Sequence, residues 1–353
     1  MDRLRFSFCE LGADALLVSH LPNILYLCGF TGSSGVLLVG QHGSILFTDS
    51  RYRIQARAEV RGAHVQIVRG GLMRAVGDEL RSHRGRVRVG FSPDQLTVAE
   101  KAVLQASGGN NLCLIQAVNL VEKLRAVKDG AELDAMREAA SVTSRVFQRV
   151  LRSIRPGATE LEIAARIELL SKGLGATGPS FETIVASGER SAWAHARPTS
   201  KPLRKNELVV LDQGAILRAY RSDMTRTVFM GRASRKVRAL FRAVREAQQA
   251  AEDIIRPGVK AGEVDAAARQ IFRGNRLARY FTHSTGHGLG LEVHEIPRLG
   301  PGEETLLEEG MVLTVEPGVY LEGLGGIRIE DEVVVASKGA VVLTTAPREF
   351  IEL

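Results

Sequence analysis

The sequence predicts two domains: an N-terminal α/β domain and a C-terminal α+β domain that contains an internal repeat. Residues 1 to about 120 alternate short apolar runs with helical patterns, which is typical of an α/β domain. The tetrapeptide IRPG occurs at 154–157 and again at 255–258. After each copy, acidic residues interrupt apolar, strand-like runs at matching places. We place the domain boundary between residues 122 and 123.

The first domain is predicted to hold a mixed or parallel sheet, because its apolar runs alternate with helical periodicity. The runs typical of strands are 13–20, 23–30, 34–40, 43–50, 63–68 and 86–91. The patterns typical of helices are 50–60, 71–83 and 97–107. The sequence has no GxGxxG or GxxxxGK[ST] motif for a nucleotide and no GxSxG elbow of a serine hydrolase.

The second domain is predicted to be duplicated. A long helix is expected over 126–154, ending at Arg155-Pro156-Gly157. After each IRPG copy come helical patterns and then an apolar strand with an acid and a glycine, LVVLDQG in one half and VLTVEPG in the other. A second strand then carries a further acid. A pseudo-twofold axis between the halves would bring four carboxylates to the centre of one sheet.

The four acids are the strongest indication of chemistry in this chain. Their positions are Asp212, Asp223, Glu316 and Glu330. An ionised carboxylate in a half-buried strand costs several kcal/mol unless a cation or a hydrogen-bond donor meets it. A glycine-rich segment, 282–297, adds three histidines. Oxygen-rich ligation with one imidazole favours hard or borderline divalent ions, and four carboxylates can balance two of them. The sequence therefore predicts a dinuclear metal site suited to hydrolysis.

Composition excludes several other classes of function. The net charge is +7, but arginines are spread along the chain and aromatic residues make up only 5%, so a nucleic-acid partner is not expected. No apolar run reaches the length of a membrane span, and the N-terminus lacks a signal-peptide pattern. Three widely spaced cysteines are typical of free thiols in a reducing compartment. The prediction is a cytoplasmic protein without a membrane partner.

Four motifs of the second domain are DQGAILRAYRSDMTRT, HSTGHGLGLEVHEIP, EPGVY and GGIRIED. Together they resemble the creatinase, aminopeptidase P and prolidase group of metallopeptidases, the proline-specific branch of family M24. The resemblance implies a creatinase-like first domain and a second domain with the duplicated pita-bread fold. It implies two divalent metal ions, with Mn²⁺ favoured over Co²⁺, Zn²⁺ or Fe²⁺. The implied metal ligands are Asp212, Asp223, His287, Glu316 and Glu330, with Asp223 and Glu330 bridging the two ions.

The resemblance also implies roles for residues beside the metals. His195 and His294 would bind substrate and stabilise the tetrahedral intermediate. His283 would belong to the wall that receives proline, and Glu316 would carry a proton as well as bind metal. Arg328 would orient Asp212 or the substrate.

The activity implied is hydrolysis of the bond before proline. We expect an Xaa-Pro aminopeptidase acting on peptides with proline at the second position; the alternative is an Xaa-Pro dipeptidase, or prolidase. An inactive binding module is a third possibility, disfavoured because all five ligand positions are kept. Relatives are commonly homodimers, so the first domain is expected to serve dimerisation and substrate selection, with Arg51, Tyr52 and Arg53 near the shared mouth.

Overall fold

The computed structural model describes residues 2–83 and 85–353, apart from the side chain of residue 2. The chain forms two compact units, Met1–Arg125 and Ala126–Leu353. Each unit has its own buried hydrophobic clusters. No helix among the described residues is long and apolar enough to cross a bilayer.

The first unit is an α/β domain built on one mixed sheet. Its helices are α1 Asp2–Glu10, α2 Leu21–Cys28, α3 Arg53–Glu59, α4 Leu72–Arg81, α5 Val98–Gly108 and α6 Leu120–Ala126. Its strands are β1 Ala15–Val18, β2 Val36–Gly40, β3 Ser44–Asp49, β4 His64–Val68, β5 Val87–Phe91 and β6 Leu112–Gln116. The strand order is β4-β3-β2-β1-β5-β6, with both parallel and antiparallel pairs. The predicted mixed α/β domain is confirmed.

One predicted strand of this unit, 23–30, is wrong, because most of it is helix α2. Pro22 lies in the first turn of the helix, where its missing N–H costs no hydrogen bond. Ile24 and Cys28 are buried four residues apart, which is the spacing of one helix face. Gly29 then ends the helix with a left-handed φ of 79° and donates its N–H to Leu25 O.

The second unit consists of two helix pairs and several sheets. Its helices are α7 Gly130–Val150, α8 Glu160–Gly173, α9 Arg235–Ile254 and α10 Ala261–Gly274. Its strands are β7 Gly178–Pro179, β8 Ile184–Ser187, β9 Leu208–Gln213, β10 Ala215–Leu217, β11 Tyr220–Arg221, β12 Met224–Phe229, β13 Gly286–Gly288, β14 Glu295–Leu299, β15 Val312–Val315, β16 Gly318–Leu321, β17 Gly325–Arg328, β18 Asp331–Ala336, β19 Gly339–Val342 and β20 Ile351–Glu352.

The internal repeat is visible in the order of these elements. Helices α7 and α8 precede the antiparallel strands β8-β9-β12, and helices α9 and α10 precede the antiparallel strands β13-β15-β18. Each half therefore has two helices followed by three strands in the same order. The duplicated fold predicted from the two IRPG segments is confirmed. The long helix predicted over 126–154 is α7, which begins after a capping box between Asp129 and Glu132.

The halves meet at a seam between two sheets, whereas the sequence predicts one sheet. The sheets have the orders β20-β12-β9-β8 and β14-β13-β15-β18-β19. At the seam Glu330 N–H donates to Thr225 O over 3.1 Å. The Thr227 hydroxyl donates to Arg328 O and accepts from Arg328 N–H. The Thr227 hydroxyl thus replaces a backbone group as the partner of Arg328. The backbone hydrogen bonding between the two sheets is therefore interrupted close to the acids.

Candidate metal centre

The strands carry the four predicted acids to one cleft of about 500 Å³. Asp212 lies on β9, and Asp223 immediately precedes β12, which pairs with β9. Glu316 follows β15, and Glu330 lies between β17 and β18 at the seam. The cleft is lined by these four acids and by His195, His287, His294 and Arg328 among others. The structure therefore brings together residues that are up to 135 positions apart in the chain, from His195 to Glu330.

The acids are buried in an environment that disfavours their charge. Asp223 is 5% exposed and Glu330 is 2% exposed. Burial and the neighbouring carboxylates raise the pKa of both groups well above the ordinary range of carboxyl groups. Burial likewise raises the pKa of Glu316 to about 7. Without an added cation the cluster would bind protons at neutral pH.

His287 faces the acids with a lone pair. Its Nδ1 lies 2.9 Å from Gly288 O, a carbonyl that can only accept, so Nδ1 carries the proton. Nε2 is then an acceptor and lies 3.8 Å from an Asp223 oxygen and 3.6 Å from a Glu316 oxygen. Burial lowers the pKa of His287 to about 4, which keeps the ring neutral. A lone pair pointing at carboxylate oxygens is stabilised by a cation between them.

The placement of His287 depends on glycines in strand β13. A Cβ atom on Gly286 would overlap the backbone of Thr314, and one on Gly288 would overlap the backbone of Ile296. Glycine at both positions lets β13 lie close to its neighbours on either side. The glycines on either side of His287 are therefore required sterically, because they allow His287 to lie on a strand packed closely between β14 and β15.

Three residues of the cleft could hold one metal ion together. Each of Asp223, His287 and Glu330 offers one ligand atom, and these three atoms lie within 4.8 Å of one another. Asp212 has one oxygen, Oδ1, that is buried without a hydrogen-bond partner in the part of the chain that the structure describes. Its other oxygen accepts from Arg328 Nη2 over 2.6 Å. The unpaired oxygen, the raised carboxyl pKa values and the imidazole lone pair all fit bound divalent cations.

Two other predicted histidines line the same cleft. His195 and His294 are exposed to it rather than packed into the core. The His294 ring lies edge-on to the His287 ring with the centroids 4.4 Å apart. Burial and the nearby His195 lower the pKa of His294, so its imidazole is neutral at pH 7 and keeps an N–H to donate.

His283 lies apart from the residues that line the cleft and is joined to them through two side chains. Its Nε2 is 2.8 Å from the Tyr320 hydroxyl, and that hydroxyl accepts from Arg328 Nη1 at the same distance. Burial, followed by Arg328, lowers the pKa of His283 to about 4. The geometry makes this neutral histidine a support for Tyr320. Its predicted contact with proline stays a prediction.

Arg328 is the buried cation of this region. It is 3% exposed and donates to Asp212 Oδ2, Thr225 Oγ1, Ala194 O and Tyr320 Oη. The contact with Asp212 is 2.6 Å long, and the role of Arg328 in orienting Asp212 or the substrate stays a prediction. The Ala194 contact adds a link to the loop that carries His195, which is one residue further along the chain.

Sequence reasoning missed three residues that support the acids: Thr225, Tyr320 and Glu332. The Thr225 hydroxyl donates to Glu330 Oε2 over 2.7 Å. Glu332 accepts the Asp223 N–H with Oε1, and its Oε2 is buried with no hydrogen-bond partner among residues 2–83 and 85–353. A signal for Glu332 exists, since the run RIEDEVVV contains three consecutive acids before an apolar strand. Alternation along a strand cannot say which acid turns toward the cleft.

Glu332 is expected to be neutral, because burial raises its pKa well above the ordinary range. Glu332→Gln keeps the shape and the acceptor for Asp223, so the free energy of unfolding should change by less than about 1 kcal/mol. Glu332→Ala leaves a buried N–H unpaired and should cost about 1–3 kcal/mol. Chemical denaturation of the metal-free variants measures both. An equally large loss in the glutamine variant would show that Glu332 is ionised.

The contribution of Glu316 to the stability of the metal-free protein should fall as the pH rises from about 4.5 to about 7. Glu316 has a pKa of about 7 when folded, against an ordinary 4.5, so the folded state holds a proton that the unfolded state has released. The slope for one such proton is at most about 1.4 kcal/mol per pH unit. Denaturation of wild type and Glu316→Gln across this range isolates the effect. Identical slopes in the two proteins would contradict it.

Comparisons with known proteins identify the family to which this chain belongs. The sequence model of metallopeptidase family M24 matches residues 134–337, and that of the creatinase/prolidase N-terminal domain matches residues 1–127. Three similar solved structures are an Xaa-Pro dipeptidase from Bacillus anthracis, a prolidase from Pyrococcus horikoshii OT3 and an X-Pro aminopeptidase from Thermotoga maritima MSB8. They are 37%, 32% and 34% identical to this chain, with TM-scores of 0.95, 0.94 and 0.91. The matches cover 100%, 99% and 100% of this chain and 98%, 99% and 99% of theirs. The chain therefore belongs to metallopeptidase family M24, and it carries the N-terminal domain of the creatinase and prolidase type.

Proposed function

We propose that this metallopeptidase is an Xaa-Pro dipeptidase, which hydrolyses the bond between a first residue and a terminal proline. The observation that carries the proposal is the buried group of carboxylates and one imidazole at the base of the cleft. Two of the three solved structures compared are a dipeptidase and a prolidase. They favour the dipeptidase alternative over the aminopeptidase that the sequence analysis expects. The aminopeptidase remains the second candidate, because one similar structure is an X-Pro aminopeptidase.

We further propose that the site holds two divalent ions. Asp212, Asp223 and Glu330 would bind one ion, and Asp223, His287, Glu316 and Glu330 the other. Two ions suit this number of acids, because Arg328 is the one buried cation among the described residues that line the cleft. Mn²⁺ is the favoured ion, since the ligand set is rich in oxygen and has a single imidazole.

The metals, when bound, supply an activated water and polarise the scissile carbonyl. Glu316 would take the proton of the attacking water and return it to the nitrogen of proline, a role suited to a carboxyl group in a buried site. His195 and His294 would donate hydrogen bonds to the oxygen that gains negative charge. Arg328 would hold Asp212 in place through its 2.6 Å contact.

The first domain is proposed to take part in dimerisation and substrate selection. The guanidinium of Arg51 in this domain makes two contacts with Asp49, of 2.9 and 2.8 Å, so binding a substrate carboxylate would require this side-chain pair to open. Ion pairs at the protein surface contribute little to the free energy of folding, so Arg51 could exchange Asp49 for a substrate carboxylate at low cost. The homodimer and the cytoplasmic location stay predictions. An inactive binding module is disfavoured, because every proposed ligand position retains a side chain that can bind metal.

Asp223→Ala and Glu330→Ala are each expected to lose activity and at least one bound metal ion. A bridging carboxylate neutralises both ions, so its removal leaves two cations close together with too little negative charge. Elemental analysis after gel filtration gives the ions per chain. Two tightly held ions in either variant would contradict the bridging role.

His195→Ala and His294→Ala are expected to keep their metals while kcat falls about 10²- to 10³-fold, the typical effect of removing one donor to an oxyanion. Both side chains are proposed to contact the substrate and neither is proposed as a ligand. Steady-state kinetics and metal content, measured on the same preparation, separate the two effects. Loss of metal in proportion to activity would make the histidines ligands.

The proposed function is tested by comparing kcat/KM for Ala-Pro, Ala-Pro amide and Ala-Pro-Ala with the manganese-loaded protein. A dipeptidase must recognise the carboxylate that follows proline, so Ala-Pro should be the best substrate and the amide a poor one. The amide keeps the size of the dipeptide and removes its negative charge. Preference for Ala-Pro-Ala would identify an aminopeptidase, and cleavage of none of the three would overturn the proposal.

A further inference from the structure

Two buried carboxylates outside the cleft each hold a loop that leads into it. Glu160 is the first residue of α8 and is fully buried, and Asp265 on α10 is 1% exposed. A buried carboxylate requires several donors to replace water. The donors to Glu160 come from the segment that carries His195, and the donors to Asp265 include Thr285 in the segment that carries His283 and His287.

Glu160 joins the two ends of the loop that contains His195. Its Oε1 accepts from the backbone N–H of Ser187 over 2.9 Å and from the Ser187 hydroxyl over 2.8 Å. Its Oε2 accepts from the backbone N–H of Thr199 over 3.0 Å and from the Thr199 hydroxyl over 2.8 Å. One side chain therefore fixes positions 187 and 199, and His195 lies between them.

An arginine connects Glu160 to the middle of the same loop, and we call the carboxylate with its arginine an anchor. Arg190 donates Nε to Glu160 over 3.2 Å and Nη2 to Arg197 O over 2.6 Å. Its guanidinium also lies 4.8 Å from the centre of the Trp193 ring. The carboxylate thus orients the arginine, and the arginine holds the backbone two residues after His195.

Asp265 makes the same kind of anchor in the second half. Its Oδ1 accepts from the backbone N–H of Thr285 over 3.1 Å and from the Thr285 hydroxyl over 2.9 Å. Arg269 donates Nε to Asp265 over 2.6 Å and Nη2 to His283 O over 2.6 Å. The loop held in this way leads directly into β13 and His287.

The two anchors lie at different positions of the repeat. With the IRPG segments aligned, Asp265 matches residue 164, four residues after Glu160. Residues four apart lie on one helix face, one turn apart. Each half therefore places a carboxylate on the corresponding face of its second helix, although the aligned positions differ.

We infer that Glu160 and Asp265 are positioning residues: Glu160, through Arg190, fixes the loop of His195, and Asp265, through Arg269, fixes the segment of His287. The inference rests on the proposed function for the roles of these histidines. The two residues are therefore expected to affect different steps. Loss of Glu160 should impair catalysis and leave the metals in place, whereas loss of Asp265 should weaken metal binding.

The test compares Glu160→Gln with Asp265→Asn in the full-length protein. Both changes keep the size of the side chain and remove the charge that holds the arginine. Trp193 is the single tryptophan of the chain and lies in the first loop, so its fluorescence anisotropy reports the order of that loop. The exposed Glu168 on α8 and Glu263 on α10 give control variants, Glu168→Gln and Glu263→Gln, expected to match wild type.

Glu160→Gln should lower the anisotropy of Trp193 and lower kcat for Ala-Pro about tenfold to a hundredfold, with Mn²⁺ affinity unchanged. Asp265→Asn should weaken Mn²⁺ binding about 10- to 100-fold, which is typical when a residue that orients a metal ligand is changed. The anisotropy of Trp193 should be unchanged. Arg190→Lys and Arg269→Lys should reproduce the two patterns. They provide a second test if a carboxylate variant fails to fold.

Wild-type values for all readouts in the carboxylate variants would overturn the inference. The same losses of metal and loop order in both variants would also overturn it, because they would indicate only a general role in packing. If wild type fails to hydrolyse Ala-Pro, the proposed function fails separately. Anisotropy and metal affinity would still test the anchors.

Discussion

The structure of the catalytic unit depends on negative charge that is buried without enough positive charge to match it. Asp223, Glu316 and Glu330 meet in one cleft, and burial raises the pKa of each. Arg328 pairs with Asp212 rather than with these three. A fold that removes several carboxylates from water has a large desolvation cost. Bound divalent cations would offset that cost.

Asp331, one residue after Glu330, shows how the same fold treats an acid that needs no ion. It is fully buried and accepts from Arg226 over 2.6 Å and from Arg348 over 2.8 Å. Gln248 and Thr344 donate to it as well. The chain thus supplies complete partners for an acid on one face of β18. At the border of the cleft, Glu330 has a single side-chain donor among the described residues, Thr225.

The sequence predicts a metal centre, because buried acids in apolar strands are costly and duplicated acids are more informative than single ones; the ligand set stays a prediction. The fold class, the repeat and helix α7 could be predicted, because local periodicity and the two IRPG segments are visible in the sequence itself. Helix α2 could not, since a short, mostly apolar run such as NILYLCGF suits a buried strand as well as a helix, and Pro22 was the deciding residue. The seam between the sheets, the Tyr320 link to His283 and the orientation of Glu332 depend on contacts between distant segments. Pattern in one sequence carries no information on such contacts.

The central claim is that this cleft holds two divalent ions between its carboxylates and His287. Anomalous diffraction from crystals of the manganese-loaded protein, collected on both sides of the manganese absorption edge, tests it most directly. The account predicts two peaks, both in contact with Asp223 and Glu330, one also bounded by Asp212 and the other by His287 and Glu316. A single peak, or a cleft without manganese in which these carboxylates keep their positions, would contradict it.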